Sequence, residues 1–400
     1  MKIGLIKEEK LPVDKRVVLT PDQCKNIQET YSNTELVVQS CQNRCFTDEQ
    51  YKSKGIKVVD NLNNCDVILG VKEIPIKLLL SNKTYFYFSH TIKKQPYNRE
   101  LLKKMIEKKI AMVDYEVLKD HHGKRLIGFG RYAGIIGAYN ALLTYGLKSG
   151  KYTLKPAYKC KDRFEMEEEL SKLKLDNEKI VVTGTGRVGE GVIEILKKSD
   201  IKKTSINDFI NKKYNKAVYV QLNTMDYNER KDGKKLNKED FYNNPIQYKS
   251  SFKKFAKDSD IFIAGHYYSE GSPYLFTRKD AKSSDFNFKV IADISCDIDG
   301  PVASTIRSST IENPIYGYNP YTEKEVHFRE DGAIAVMAVS NLPCELPRDA
   351  SEDFGKVMVK KVIPALMNIE NNTIISNATI CRQGSLTSNF LYLEDYINSN

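Results

Sequence analysis

An α/β chain of two doubly wound, mostly parallel sheet domains with an intervening cleft is the fold class this sequence predicts, on three observations. Apolar runs of strand length alternate with polar stretches of helix length through the first third of the chain. A second such series opens near residue 180, where Ile180-Val181-Val182-Thr183 leads directly into Gly184-Thr185-Gly186-Arg187-Val188-Gly189. The length, 400 residues, is more than one hydrophobic core usually serves.

In the first series, strands are predicted at 2–6, 35–39, 57–59, 66–71, 84–89 and 110–114, with helices at 21–30, 48–54 and 97–108 between them. Parallel neighbours need such crossovers, so the alternation argues for an open sheet with both faces covered. Ala133 to Leu147, apolar and rich in small residues, is predicted as a long helix leading toward the second domain.

The second series begins with a GxGxxG turn. Gly184 permits the tight turn, Gly186 lets backbone N–H groups approach a pyrophosphate, and Gly189 lets the next helix sit close on its strand. Val188, Val192, Ile193, Ile195 and Leu196 follow at helical spacing, so strand, turn and helix are all present. The stretch reads as a Rossmann-like dinucleotide site, with Gly184, Thr185, Gly186, Arg187, Val188 and Gly189 binding the cofactor. Such a site also wants an acid about 20 residues on, at the end of the next strand. Asp208, in Thr204-Ser205-Ile206-Asn207-Asp208, is expected there on the adenosine ribose, a helix cap or a solvated loop being the competing reading. NAD is the expected cofactor, with NADP left open. Further strands are predicted at 217–221, 260–264 and 289–294 and a helix at 351–369, whereas 213–250 is longer than a minimal crossover needs and carries no chemical reading. The expected domains are 1–135, an α/β domain for the substrate; 136–340, the dinucleotide-binding domain; and 341–400, a segment packing back on the first.

Composition excludes several other classes. The net charge of +10 comes from lysines spread along the chain among acids, not gathered in a stripe, so nucleic acid is not an expected partner. No apolar run approaches the ~20 residues that cross a bilayer, and the start, Met1-Lys2-Ile3-Gly4-Leu5-Ile6-Lys7, is charged too soon for a signal peptide. A cytoplasmic protein is expected. The eight cysteines are scattered without zinc-finger spacing, so reduced thiols are expected and no metal site.

Open parallel sheets collect ligands at the carboxyl ends of their strands. There, Val67-Ile68-Leu69-Gly70-Val71 ends at Lys72-Glu73, Tyr85-Phe86-Tyr87-Phe88-Ser89 at His90, and Met112-Val113-Asp114-Tyr115 at Glu116. Lysine and histidine are the types that move protons at an amine or carbonyl carbon near neutral pH. Lys72 and His90 are therefore the catalytic candidates, with Glu116 balanced between substrate contact and structural pairing. His121 and His122 read as an exposed turn, His327 as solvated, and His266 as lining the cofactor site.

These residues carry a resemblance. Lys10-x5-Arg16-x2-Leu19-Thr20-Pro21, Gly70-Val71-Lys72-Glu73-Ile74-Pro75, Phe88-Ser89-His90-Thr91-Ile92-Lys93 and Gly130-Arg131-Tyr132-Ala133-Gly134 resemble the lysine-forming saccharopine dehydrogenases. The likeness continues through the glycine turn to Asp293-Ile294-Ser295-Cys296-Asp297 and Asn341-Leu342-Pro343-Cys344-Glu345-Leu346-Pro347. These enzymes, with the lysine–ketoglutarate reductase domains of larger proteins, belong to a broader group with alanine dehydrogenase and the nucleotide-binding part of transhydrogenase. The resemblance implies oxidation of saccharopine's secondary amine by a nicotinamide cofactor, then hydrolysis to lysine and 2-oxoglutarate, reversibly. It implies Lys72 as acid–base at the amine nitrogen and His90 at the attacking water and carbinolamine. It also implies Arg16 and Arg125 on substrate carboxylates, Lys93 and Glu116 lining the same site, Asp297 near the nicotinamide, and Asn341 with Leu342 in the loop covering that ring. Ser340 stands where the family commonly has an acid, and Asp349 stands where its later Pro-x-Glu-Ala-Ser pattern has glutamate, which bears on substrate length and local pKa tuning. An alanine-dehydrogenase-like enzyme using ammonia and a small 2-oxo acid is the alternative. A dinucleotide-binding sensor without turnover is the second.

Overall fold

The structure is a computed structural model and describes residues 1–11, 13–269, 271–368 and 372–398. The chain folds into two compact units, Met1–Phe129 with Pro347–Asn400, and Gly130–Leu346.

The first unit is built on β1 (Lys2–Leu5), β2 (Glu35–Gln39), β3 (Lys57–Val59), β4 (Val67–Lys72), β5 (Thr84–Phe88) and β6 (Ala111–Asp114), all parallel. Both faces of this sheet are covered, which is why its central strands carry consecutive apolar residues, Val67 to Leu69 in β4 and Tyr85 to Phe88 in β5, and not only alternate ones. Leu69, Val71, Phe86 and Phe88 enter the core on one face, and Ile68, Tyr85, Tyr87 and Met112 the core on the other. Between β1 and β2 runs the helix Pro21–Thr30, started by a capping box in which Thr20 and Gln23 satisfy each other's backbone N–H groups.

The second unit opens with the helix Gly130–Ser149, buried on nearly all sides. Its small residues are needed for packing. A Cβ on Gly134 would lie 1.9 Å from the Val188 carbonyl oxygen, and one on Gly191 would lie 2.1 Å from that of Arg131, so this helix and Arg187–Lys198 meet almost backbone to backbone. The sheet beneath comprises β7 (Lys179–Thr183), β8 (Lys202–Lys203) and β9 (Val218–Leu222). A separate hairpin of β10 (Asn228–Arg230) and β11 (Tyr248–Ser250) occupies the stretch after β9 that had no sequence reading. The sheet resumes with β12 (Ile261–Ala264), β13 (Val290–Asp293), β14 (Ile315–Asn319), β15 (Lys324–Val326) and β16 (Ile334–Met337). Its order is β15-β14-β16-β13-β12-β7-β9-β8, with β14 and β15 antiparallel at one edge.

One expectation fails here. The strand expected to end at Asp208 is only the edge pair Lys202–Lys203, too short and too polar to register, and β9 instead of β8 lies beside β7. Ser205 caps a helix, Ile206–Asn211, by accepting the Asp208 N–H, and the Asp208 carboxylate pairs with Lys212 at 3.0 Å on that helix.

The chain then returns to the first unit through Pro347–Val357, a π-helical turn Met358–Val362, and Ile363–Met367. There β17 (Thr379–Arg382) adds antiparallel to β6 and β18 (Ser385–Leu386) to β17, giving the order β18-β17-β6-β5-β4-β1-β2-β3. No helix among the described residues is long and apolar enough to cross a membrane, and none of their side chains group as a metal cluster.

Candidate active site

In the first unit two charged clusters form at the carboxyl ends of β4, β5 and β6. The centre of the first is Asp14, a buried residue in the loop after β1. Arg16, also buried, donates from Nε to Asp14 Oδ1 at 2.9 Å and from Nη2 to Oδ2 at 2.6 Å, while its guanidinium lies 4.1 Å from the Phe129 ring centroid. The Lys72 ammonium stands 3.3 Å from the same Oδ2. Burial alone would raise the Asp14 pKa, but the charge and bonds of Arg16, with Lys72, hold it well below the usual carboxylate range. Lys10 and Glu73 pair beside this group.

The second cluster surrounds His90. Its backbone is left-handed, φ 55°, as the chain turns out of β5, and Asp114 fixes the preceding residue by accepting from Ser89 Oγ at 2.5 Å. The His90 Nδ1 lies 3.3 Å from Glu116 Oε2, Lys93 Nζ lies 3.2 Å from Glu116 Oε1, and Arg125 reaches the same oxygen at 3.9 Å. Burial opposes ionisation of Glu116, yet His90, Lys93 and Arg125 outweigh it and bring its pKa down to about 2. Lys72 and Phe88 are register partners across β4 and β5, so Lys72 and His90 stand at adjacent strand ends. The structure thus groups Lys72 with Arg16, and His90 with Lys93, Glu116 and Arg125.

In the second unit the glycine turn lies where β7 enters the helix Arg187–Lys198. Gly184 has φ +99°, and a Cβ there would come 2.3 Å from the Gly265 carbonyl oxygen, while one on Gly189 would meet the Gly184 oxygen at 2.1 Å. Gly186 differs, because a Cβ there would meet nothing within 4 Å. Thr185 and Gly186 are exposed, Arg187 and Val188 partly so, and the first turn of a helix leaves backbone N–H groups without intrahelical acceptors. The turn therefore has the open approach a pyrophosphate needs. Asp297 follows β13, and Asn341-Leu342 follows β16, at the same carboxyl edge. Leu342 is buried, and Asn140 Nδ2 donates to Glu345 Oε1 at 2.7 Å, tying the turn Leu342–Glu345 to the long helix. His266, after β12, shares a hydrogen bond of 2.9 Å between Nδ1 and Thr183 Oγ1, and burial lowers its pKa to about 4, so it is neutral at pH 7.

Sequence reasoning passed over four residues. Asp14 sits inside the quoted Lys10-to-Arg16 segment, and Asp114 ends a quoted strand; a buried acid two residues from a recognised partner was the available signal. Glu8, whose carboxyl burial and the nearby Asp14 push up to about 8, had none. Neither had Asp226, which accepts the Asn223 N–H at 2.7 Å in the turn closing β9, the strand beside β7.

The model of the alanine dehydrogenase/PNT N-terminal domain matches residues 4–136, and that of the C-terminal domain residues 169–389. An Arabidopsis thaliana protein named alpha-aminoadipic semialdehyde synthase is 27% identical over 443 residues, an alignment covering 100% of this chain and 42% of that protein. A Candida albicans protein named saccharopine dehydrogenase (NAD(+), L-lysine-forming) is 25% identical over 403 residues, covering 92% of this chain and 91% of that one. This chain thus spans less than half the length of the semialdehyde synthase. Among solved structures, an L-alanine dehydrogenase aligns with a TM-score of 0.65 at 15% identity over 97% of both chains. A transhydrogenase from Sinorhizobium meliloti aligns at 0.61 and 15%, over 97% of this chain and 99% of its own, a likeness of fold. With models of both domains matched in order along its length, this chain belongs to the alanine dehydrogenase/PNT family.

Proposed function

We propose that this chain is an NAD(P)-dependent dehydrogenase acting on the CH–NH group of saccharopine or a similar N-(carboxyalkyl) amino acid, giving lysine and 2-oxoglutarate reversibly. The observation that carries the reading is the pairing of Lys72 with Asp14 and Arg16 at one strand end, beside His90 with Glu116 and Lys93 at the next. The name of the Candida albicans relative supports the substrate and favours NAD.

When bound, the nicotinamide supplies a hydride acceptor. The rest falls to side chains of the chain. Lys72 Nζ, as the neutral amine, takes the proton of the secondary amine, and Asp14 holds the ammonium so formed on the rim. His90 takes a proton from the water that adds to the imine carbon and moves one again as the carbinolamine C–N bond breaks, Glu116 orienting its ring. Arg16 and Arg125 hold substrate carboxylates through planar forks, and Lys93 lines the same site. Gly184 to Gly189 hold the pyrophosphate, and Asp297, Asn341 and Leu342 border the nicotinamide. The adenosine ribose falls to the Asn223–Asp226 turn and not to Asp208, because β9 is the neighbour of β7. Lys203 Nζ lies 3.4 Å from Gln221 Oε1 near that strand end, where a 2′-phosphate would meet it, so NADP stays open beside NAD.

The test is turnover of purified protein read at the NADH and NADPH absorbance. Saccharopine is supplied in one direction, and 2-oxoglutarate or pyruvate with lysine, ornithine or ammonia in the other. Oxidation of saccharopine supports the reading. Turnover of pyruvate with ammonia alone supports the alanine-dehydrogenase reading, and cofactor binding without any turnover supports the sensor.

A further inference from the structure

The segment after β1 contains a buried carboxyl group, that of Glu8, that neither cluster uses. The ladder between β1 and β4 ends with Leu5 opposite Leu69 and a bond of 3.0 Å from the Ile6 N–H to the Leu69 carbonyl. Strand β4 runs on to Lys72, and on its other side the pairing with β5 slips register between Leu69 and Lys72. A slip of this kind bends a strand and re-aims the side chains beyond it. The two N–H groups past the end of the β1 ladder still need acceptors. Glu8 provides both: Oε1 lies 2.6 Å from the Val71 nitrogen and Oε2 lies 2.9 Å from that of Lys72.

The neighbourhood is shaped for this contact. A Cβ on Gly70 would lie 2.9 Å from Ile6 Cγ2, with the Lys72 carbonyl oxygen next at 3.5 Å and Glu8 Oε1 at 3.6 Å, so glycine lets the β1 extension cross β4 this closely. The result places two acidic side chains around one lysine. Glu8 holds its backbone, and Asp14 its ammonium at 3.3 Å.

We propose that Glu8 is a positioning residue, whose bidentate grip on the Val71 and Lys72 N–H groups replaces the missing strand and sets where the Lys72 side chain stands on the rim. The proposal rests on Lys72 being the proton-transfer group, so its test must read Lys72 apart from turnover. A lysine free to drift by about 1 Å loses on the order of 100-fold in rate without losing a ligand contact. Glu8 belongs to no cofactor contact, so its loss acts on kcat and leaves the KM for NAD(H) unchanged.

The experiment uses the full chain with Glu8→Ala and Glu8→Gln. Competitive acetylation by acetic anhydride at fixed pH, read by peptide mass spectrometry, compares Lys72 with Lys360, which is exposed on the C-terminal helices. Expected in Glu8→Ala are a changed Lys72 labelling rate, an unchanged Lys360 rate and a kcat down by about 10- to 100-fold. Glu8→Gln keeps one acceptor and turns the other oxygen into a donor, so it falls between wild type and Ala and carries the test where Ala does not fold. Unchanged Lys72 labelling in folded variants overturns the proposal. A changed rate upholds it even where wild type does not oxidise saccharopine, in which case the functional reading fails alone.

Discussion

Lys72 and Arg16 share one buried carboxylate: Asp14 Oδ2 lies 2.6 Å from Arg16 Nη2 and 3.3 Å from Lys72 Nζ. A proton-transfer group and a carboxylate-binding arginine are thereby held at a fixed spacing by a third residue. Removing that residue leaves a nearly buried guanidinium without its counter-charge, and breaking a buried pair from one side costs about 3–5 kcal/mol. Asp14→Ala is expected to lose stability on that scale in urea unfolding at pH 7. Asp14→Asn, which retains hydrogen-bonding capacity, is expected to lose less. A stability equal to wild type in Asp14→Ala would show that the pair contributes nothing net.

Glu116 gives a pH prediction with a definite sign. Its folded pKa of about 2 lies below the ordinary 4.5, so the unfolded chain binds the proton more readily. The stabilisation is fully present above pH 4.5 and is lost as the pH falls through 2. Glu116→Gln cannot show this dependence. The stability gap between wild type and Glu116→Gln should therefore narrow between pH 6 and pH 2.5 in denaturant titrations, and a gap that widens on acidification contradicts the pairing with His90, Lys93 and Arg125.

Lys72→Met and His90→Gln test the proposed proton transfers. General acid–base groups contribute about 100- to 10,000-fold, so each variant should lose turnover on that scale and one limb of the bell-shaped pH profile. Neither residue belongs to the glycine turn, so NADH titration should give wild-type affinity in both. Near-normal turnover with an intact profile would move the search for the proton-transfer groups to Glu116 and Asp297.

Two glycines of the turn, Gly186 and Gly189, are expected to separate folding from binding. Gly186 has an ordinary φ of −88° and open space around its Cβ position, so Gly186→Val should unfold at the wild-type temperature yet fail to bind NADH. Gly189→Val drives a side chain into the Gly184 carbonyl and should lower the melting temperature. Thermal shift with and without NADH reads both. Wild-type affinity in Gly186→Val would place the pyrophosphate elsewhere.

How far the sequence was legible follows from which forces leave local marks. Strands buried on both faces write continuous apolar runs, so β4, β5 and β6 and the strand-end positions of Lys72, His90 and Glu116 were readable from spacing alone. The glycine turn was readable because a close backbone approach admits one residue type. Glu8 left no such mark and Asp14 only its place two residues from Arg16, since both lie in an irregular segment and meet the end of β4 only when β1 and β4 pair. Strand order left none either. Lys202–Lys203 is two polar residues long, and nothing local says that β9 will insert between it and β7. The same holds for β17, which joins β6 from the far end of the chain.

That strand order sets the last prediction, which concerns the choice between NAD and NADP. A carboxylate at the end of the strand beside β7 accepts hydrogen bonds from both ribose hydroxyls and repels a 2′-phosphate. Asp226 holds that place in the turn closing β9, whereas Lys203 approaches it from the edge strand and would attract the phosphate. Hydrogen bonds to a charged group are worth about 1.5–3 kcal/mol, so Asp226→Ala should raise the dissociation constant for NADH by about 10- to 100-fold. It should leave that for NADPH equal or lower, since a repulsive charge is gone. Lys203→Ala should weaken NADPH alone. Asp208→Ala should change neither, because its carboxylate is engaged with Lys212 on a helix beyond the edge strand. Fluorescence titration of the three variants with both dinucleotides gives the answer. A loss of NADH affinity confined to Asp208→Ala would return the ribose to the position that sequence spacing alone assigns it.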